Sequence, residues 1–208
     1  MKKLLLTSTF QKVADQLLKI LPKSPSEMKV AFVPTAADPY EAKPWLVADR
    51  QKLVDLGFNV VDIPLKDQTK ESLESVLNSV DLIFVGGGNT FYLLDQARKS
   101  GFADLAPKIV EKGVIYVGSS AGSYLVCPSI EAGGWKNQDK NFVGLKDLEG
   151  LSLVPFILFA HYKFEYNDLL KTEIPRTKYE VKILNDNQAI LVLGDKYQLV
   201  GKGEEVKL

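Results

Sequence analysis

The segment Gly118-Ser119-Ser120-Ala121-Gly122 sets a hydroxyl at the centre of a G-x-S-x-G pattern, directly after the apolar run Val114–Val117. Such a spacing suits a nucleophile elbow, where small neighbours let a strained strand-to-helix turn expose Ser120 while the following amides point into the same space. A helix starting at this turn would direct unpaired N–H groups and its positive dipole end at an oxyanion. The same residues also fit a plain Gly/Ser-rich turn, or one that binds an anion without chemistry. A second small-residue cluster, Gly86-Gly87-Gly88-Asn89-Thr90, follows the apolar run Leu82–Val85. Glycines there let backbone amides approach a ligand closely, so the Gly88 amide paired with that of Ala121 could form a two-donor oxyanion hole. A dinucleotide reading fails, because Asn89, Thr90 and Phe91 break the G-x-G-x-x-G spacing and the loop follows the fourth strand candidate; a Walker lysine is absent too.

A serine nucleophile needs a base. His161 is the only histidine, so any imidazole base is His161, at the end of the apolar run Phe156-Ile157-Leu158-Phe159-Ala160. The group that holds the imidazole tautomer should be a carboxylate. Asp186 is the first choice, in the turn Leu184-Asn185-Asp186-Asn187-Gln188 between two strand candidates. A hairpin Asp is its ordinary reading. Glu131, Asp139 and Glu165 stand as alternatives, and a backbone carbonyl can also support a Ser–His pair. Cys127, on an apolar segment ending at Pro128, reads as buried and inert.

These groups need a scaffold that brings loops together. Strand-like runs at Lys3–Leu6, Val30–Val33, Asn59–Ile63, Leu82–Val85 and Val114–Val117 alternate with helical patterns. The first helix carries Phe10, Val13, Leu17 and Leu21 on one face with Thr9 able to cap it, and the next carries Leu46, Leu53 and Leu56 before Gly57. Further helices are expected at Glu71–Leu77, Phe91–Arg98 and Leu105–Glu111. The expected fold is α/β, a doubly wound, mostly parallel sheet with helices on both faces. In such sheets ligands sit beyond the carboxyl ends of the strands, where both small-residue loops fall. The stretch from Glu131 to Gly150 reads as a flexible rim, and the charged segment Lys163–Lys178 as helical at first. Strand candidates Glu180–Leu184, Ala189–Leu193, Tyr197–Val200 and Glu204–Lys207 read as antiparallel C-terminal ribbons closing the sheet.

At 208 residues the chain fits one domain, residues 1–208. Hydrophobic residues at 46% and charged residues at 25% exclude a disordered chain or a coiled coil. Twenty-six basic residues balance 26 acidic ones, so no net field exists to hold a nucleic acid. One cysteine forms no intramolecular disulfide, and with one histidine it supplies no usual zinc set. No apolar run approaches a membrane span, and Met1–Leu6 mimics a leader only briefly before Thr7, Ser8 and Thr9. A cytoplasmic protein without membrane contact is expected. A homodimer is compatible with an exposed edge strand or apolar patch, but no segment identifies an interface.

With these residues in place the chain resembles the peptidase E family of serine peptidases, the aspartyl dipeptidases and their cyanophycinase relatives, whose fold is related to class I glutamine amidotransferases. The resemblance is carried by Gly86–Phe91, by Gly118–Ser123 with Cys127-Pro128 after it, and by His161 about forty residues beyond the serine. It implies Ser120 as nucleophile, His161 as base, and Gly88 with Ala121 as oxyanion donors. It also implies a small peptide substrate with N-terminal Asp, and no metal or organic cofactor. Trp135, flanked by Gly133 and Gly134, stands where some members carry an Asp. Asp186 occupies the place where other members carry an acid. Phe159-Ala160 replaces the Asn-Pro that often precedes the histidine. Selectivity for Asp requires a cation, preferably Arg. Of Arg50, Arg98 and Arg176, the last is the leading choice, with Lys163 as substitute and Asn89 as a further substrate-binding residue. Rival functions are another serine hydrolase, an esterase or amidase, or a binding module that has lost turnover.

Overall fold

In β1 (Lys3–Thr7), Leu4 and Leu6 point to one side and Leu5 to the other, and all three are fully buried. Burial of each contributes about 2 kcal/mol, so this strand must run through the middle of a sheet covered on both faces. The computed structural model describes residues 1–208 and shows that arrangement. The main sheet has seven strands in the order β3-β2-β4-β5-β1-β8-β9. Its parallel part comprises β1, β2 (Lys29–Val33), β3 (Asn59–Asp62), β4 (Leu82–Val85) and β5 (Ile115–Ser119). β8 (Gln188–Leu193) runs antiparallel to β1, and β9 (Lys196–Gly201) antiparallel to β8. A separate two-stranded sheet pairs β6 (Phe156–Phe159) with β7 (Glu180–Ile183).

Helices cover both faces. On one lie α1 (Phe10–Leu18) and α2 (Pro44–Asp55), packed through Phe10, Leu17, Leu46 and Leu53 against Leu5, Phe32 and Phe84. On the other lie α3 (Lys70–Leu77), α4 (Thr90–Lys99), α5 (Phe102–Glu111) and α6 (Ala121–Leu125), packed against Leu4, Leu6, Ile83 and Tyr116. Two short helices follow, α7 (Ala132–Trp135) and α8 (Asn167–Glu173). The doubly wound reading and the antiparallel β8–β9 ribbon agree with these features. No helix is long and apolar enough to cross a membrane.

Three expectations are corrected. β7 is not part of an antiparallel ribbon: it pairs in parallel with β6, from Phe156 opposite Glu180 to Phe159 opposite Ile183. Glu204–Lys207 forms no strand: Val206 packs on the small cluster of Phe159, Leu170 and Ile183, and the residues around it are exposed. The segment from Glu131 to Gly150 is not simply a rim, because Ala132 is fully buried and Gly133 packs on Thr90.

Candidate active site

The carboxyl ends of β4, β5 and β1 are adjacent in the sheet, so the loops that follow them meet. After β5 the chain turns at Ser120 with φ +49°, a left-handed value that L-residues rarely adopt. The turn is held from both sides: the Ser120 N–H donates to Thr7 O at 3.0 Å, and the N–H groups of Ser123 and Tyr124 donate to Ser120 O. It also needs Gly122, because a Cβ there would lie 2.1 Å from Val85 O. Ser120 is thereby pushed out at the start of α6, while Ala121 behind it is fully buried.

His161 follows β6, also at positive φ, +57°. Its neighbours fix it: the Ala160 N–H donates to Tyr124 Oη at 2.9 Å, and the Tyr162 N–H to Leu184 O at 2.9 Å. The helix carrying the serine is thus tied directly to the strand carrying the histidine. Nε2 of His161 lies 2.9 Å from Ser120 Oγ, and Nδ1 lies 2.6 Å from Asp186 Oδ1. With the imidazole neutral and its proton on Nδ1, Ser120 donates to Nε2 and Asp186 accepts from Nδ1. Asp186 stands in the connection from β7 to β8, an Asx turn in which Asn187 N–H donates to Asn185 Oδ1 at 2.8 Å. Because β7 and β8 belong to different sheets, this is no hairpin Asp.

Two further hydroxyls support the acid. Ser8 Oγ donates to Asp186 Oδ1 at 2.9 Å and accepts the His161 N–H at 2.8 Å. Thr9 Oγ1 donates to the same oxygen at 3.0 Å. Thr9 occupies the N-cap position of α1 but makes no side-chain cap, contrary to the sequence expectation, because its hydroxyl serves Asp186. Lys12 Nζ is 3.6 Å from the other carboxylate oxygen. The His161 hydrogen bond, followed by the His161 charge and the two hydroxyls, outweighs partial burial and holds the Asp186 carboxyl well below the usual range. The sequence signal for Ser8 and Thr9 was visible, a polar break immediately after a buried strand at a sheet end, but it reads equally as a loop start.

The glycine loop closes the cleft. Gly88 has φ +152° and a Cβ on it would lie 2.1 Å from Ala36 O, so only glycine fits. Gly87 approaches Ser120, its Cβ position 3.3 Å from the serine Cβ. Trp45 Nε1 donates to Gly87 O at 3.1 Å, fixing this loop to the start of α2. Neither the Gly88 nor the Ala121 N–H donates to a loop, turn or cap carbonyl. Both amides are therefore available to an oxyanion.

Beside Ser120 opens a cavity of about 490 Å³, the scale of a small-molecule site. Tyr40 and Trp45 form its apolar part; its titratable walls are His161, Asp49 and Asp139. Asp139 accepts from the N–H and the hydroxyl of Thr90 rather than from His161, and burial raises its pKa. Glu131 accepts from Ser129, and Glu165 faces Lys163 at 3.8 Å, so neither alternative acid joins the relay. No group of three or more His, Cys, Asp or Glu side chains is arranged to hold a metal ion.

The expected substrate-binding residues lie elsewhere. Asn89 is buried as the N-cap of α4, accepting from Tyr92 N–H at 2.9 Å and donating to Lys140 O. Arg176 pairs with Glu173 at 3.0 Å and lines a separate cavity with Pro128 and Tyr179. Lys163 is exposed beside Glu165. Arg50 and Arg98 are paired with Asp62 and Asp147. No Arg or Lys side chain lines the cavity beside Ser120. Trp135 packs on Phe159 with ring centroids 6.2 Å apart. Cys127 is fully buried, and burial pushes its thiol up to about 12, which makes it unreactive.

The family description Peptidase family S51 matches residues 4–200. An uncharacterized peptidase of Pasteurella multocida is 29% identical over 195 residues, covering 92% of this chain and 94% of its own. A Drosophila melanogaster protein named "probable alpha-aspartyl dipeptidase" is 34% identical over 146 residues, 70% of this chain and 57% of its own. Among solved structures, a Listeria monocytogenes EGD-e protein put forward as a peptidase E superimposes with a TM-score of 0.87 at 26% identity, covering 98% of this chain and all of its own.

Proposed function

The chain belongs to peptidase family S51, the peptidase E family, and is a serine peptidase; on that premise we propose that it hydrolyses short peptides through an acyl-enzyme formed on Ser120. The observation that carries this reading is the relay from Ser120 Oγ through His161 to Asp186, with distances of 2.9 and 2.6 Å, on a positive-φ turn.

His161 Nε2 takes the hydroxyl proton as Oγ attacks the scissile carbonyl. Asp186 keeps the other imidazole proton on Nδ1 and stabilises the imidazolium that forms. The Gly88 and Ala121 amides receive the oxyanion, where fixed dipoles need no reorganisation. His161 then protonates the leaving amine, and the acyl group departs when water, deprotonated by the same imidazole, attacks it. Ser8 and Thr9 act through Asp186 as positioning residues. The size of the cavity supports a di- or tripeptide rather than a folded protein, and we read residues 1–208 as one peptidase domain.

A preference for N-terminal Asp, which the resemblance implies, finds no cation in the cavity lining to support it. The test is hydrolysis of a dipeptide panel including Asp-Leu and Ala-Leu by wild type and Ser120→Ala. Cleavage by wild type that is lost in the variant is the expected result. No cleavage of any member by wild type, with cleavage of simple esters instead, would replace the peptidase reading by the general hydrolase.

A further inference from the structure

Asp49 lines the cavity beside Ser120 yet is only 2% exposed. It arises from α2, where an acid in a run such as Val47-Ala48-Asp49-Arg50 would ordinarily face solvent. Its Oδ1 accepts the Gln11 side-chain amide at 2.9 Å, and the Ser119 hydroxyl lies beside the carboxyl group. No ion pair reaches it. Burial outweighs these neutral partners and raises its pKa to about 6.

The other charges around the cleft have been satisfied. Asp139 has two donors from Thr90 and feels the charge of Lys136. Lys136 donates to Ala160 O at 2.9 Å and sits over the rings of Phe159 and Tyr166. Lys12 is turned to Asp186. A desolvated carboxylate with only neutral partners is costly unless a cation joins it, and a protonated amine is the peptide group that would do so.

We propose that Asp49 is a specificity-determining residue that receives a protonated amine of the substrate, so that peptides with a free ammonium at this end are favoured and an N-terminal Asp is disfavoured. The proposal rests on the reading of this cleft as a peptide site. The amine is either the α-ammonium of the N-terminal residue or a lysine side chain. An aspartyl side chain entering the same space would meet the like charges of Asp49 and Asp139.

Calorimetric binding to Ser120→Ala protein tests this with Ala-Leu, Lys-Leu, Asp-Leu and the Nα-acetylated forms of the first two. If the α-ammonium is the partner, Ala-Leu is expected to bind about tenfold or more tighter than acetyl-Ala-Leu. If the lysine side chain is the partner, acetyl-Lys-Leu retains the tight binding. Asp49→Asn in the same background keeps an acceptor for Gln11, so a purely structural role would leave the free-to-capped ratio unchanged. The proposal predicts a ratio within about threefold of unity. Affinities of Ala-Leu, Lys-Leu and acetyl-Lys-Leu no greater than that of acetyl-Ala-Leu, or a ratio to acetyl-Ala-Leu that is unchanged in Asp49→Asn, overturns it. Should that variant not fold, Ala-Leu against Asp-Leu on Ser120→Ala alone decides, with tighter Asp-Leu binding as the refuting result. Turnover separates the two levels. Equal kcat/KM for Ala-Leu, Lys-Leu and acetyl-Ala-Leu removes the role of Asp49 and leaves the peptidase; selective binding with no turnover by wild type removes the peptidase and leaves the role of Asp49.

Discussion

Asp186 and Asp49 are the same side chain in two places, Asp49 in the wall of the cleft and Asp186 behind His161, Ser8 and Thr9, and their surroundings push them in opposite directions. Asp186 takes three donors on one oxygen, from His161, Ser8 and Thr9, and its carboxyl is held low. Asp49 takes a neutral amide, is more deeply buried, and is held high. The first has its partners within the protein, which suits the role proposed for it, orienting His161. The second lacks a counter-charge, which is the condition of a group whose partner comes with the substrate. On the proposed reading, the two carboxylates divide into an orienting role and a recognising one, by environment rather than by chemistry.

The comparison breaks most severely at Asp186. Asp186→Asn leaves the turn in place but removes the charge and invites the wrong imidazole tautomer, so kcat should fall by about 10³ to 10⁴ with KM little changed. Steady-state kinetics on the best dipeptide measures this; a loss under tenfold would mean that Asp186 does not orient His161.

Gly88→Ala attacks the facing loop. The added Cβ would strike Ala36 O, so the loop must shift and one oxyanion donor with it. A loss of about 10² to 10³ in kcat is expected, the size seen for a single donor. Wild-type kcat in a folded Gly88→Ala would show that this amide is not used.

Ser8→Ala is milder. It removes one of three donors on Asp186 and the acceptor of the His161 N–H, and should lower kcat about tenfold with KM unchanged. A purely structural role would appear instead as a lower melting temperature with kcat intact.

The smallest effect sharpens the contrast through stability. Asp49 is raised from 3.8 to about 6, so the folded state binds its proton more tightly than the unfolded chain does. Its ionisation therefore costs nothing below about pH 4, costs progressively more as pH rises to about 6, and is constant above, at most about 3 kcal/mol. Asp49→Asn should accordingly melt several degrees higher than wild type at pH 7, at about 2 to 4 °C per kcal/mol, with little difference at pH 4. Asp186 has the opposite sign: its depressed pKa stabilises the fold above the unfolded value near 4, and this is lost as pH falls through the folded value. Asp186→Asn should melt lower than wild type at pH 7. A lower melting temperature for Asp49→Asn at neutral pH would remove the contrast.

How much of this could be read in the residues follows from what each feature depends on. Strands β1 to β5 were legible because buried parallel strands are short apolar runs punctuated by glycine and polar turns. Ser120, Gly88 and His161 were legible because a local pattern or a unique residue marks them, and Asp186 because the Asn-Asp-Asn turn stands at a strand boundary. Pairing was not. The alternation in Glu180–Ile183 defines a strand but not its neighbour, and the neighbour proved to be β6, in parallel. Glu204–Lys207 carries alternation but pairs with no strand, and only its Val206 packs inward. Charge and nearness in sequence to His161 point to Arg176 and Lys163, but charges on the segment after a strand end face solvent unless a partner draws them in, and Glu173 and Glu165 lie closer. Asp49 was invisible because its burial depends on α1 and α2 closing over it through Gln11, a contact 38 residues apart in sequence.

The central claim is that Ser120 is the activated nucleophile and His161 its base, and covalent labelling reads it most directly. Wild type treated with a serine-directed organophosphonate fluoride and analysed by intact mass and peptide mapping should carry one adduct, on Ser120. His161→Ala should label at least about a hundredfold more slowly. A wild-type protein that cleaves peptides yet takes the label on another residue, or labels equally well without His161, would contradict the account.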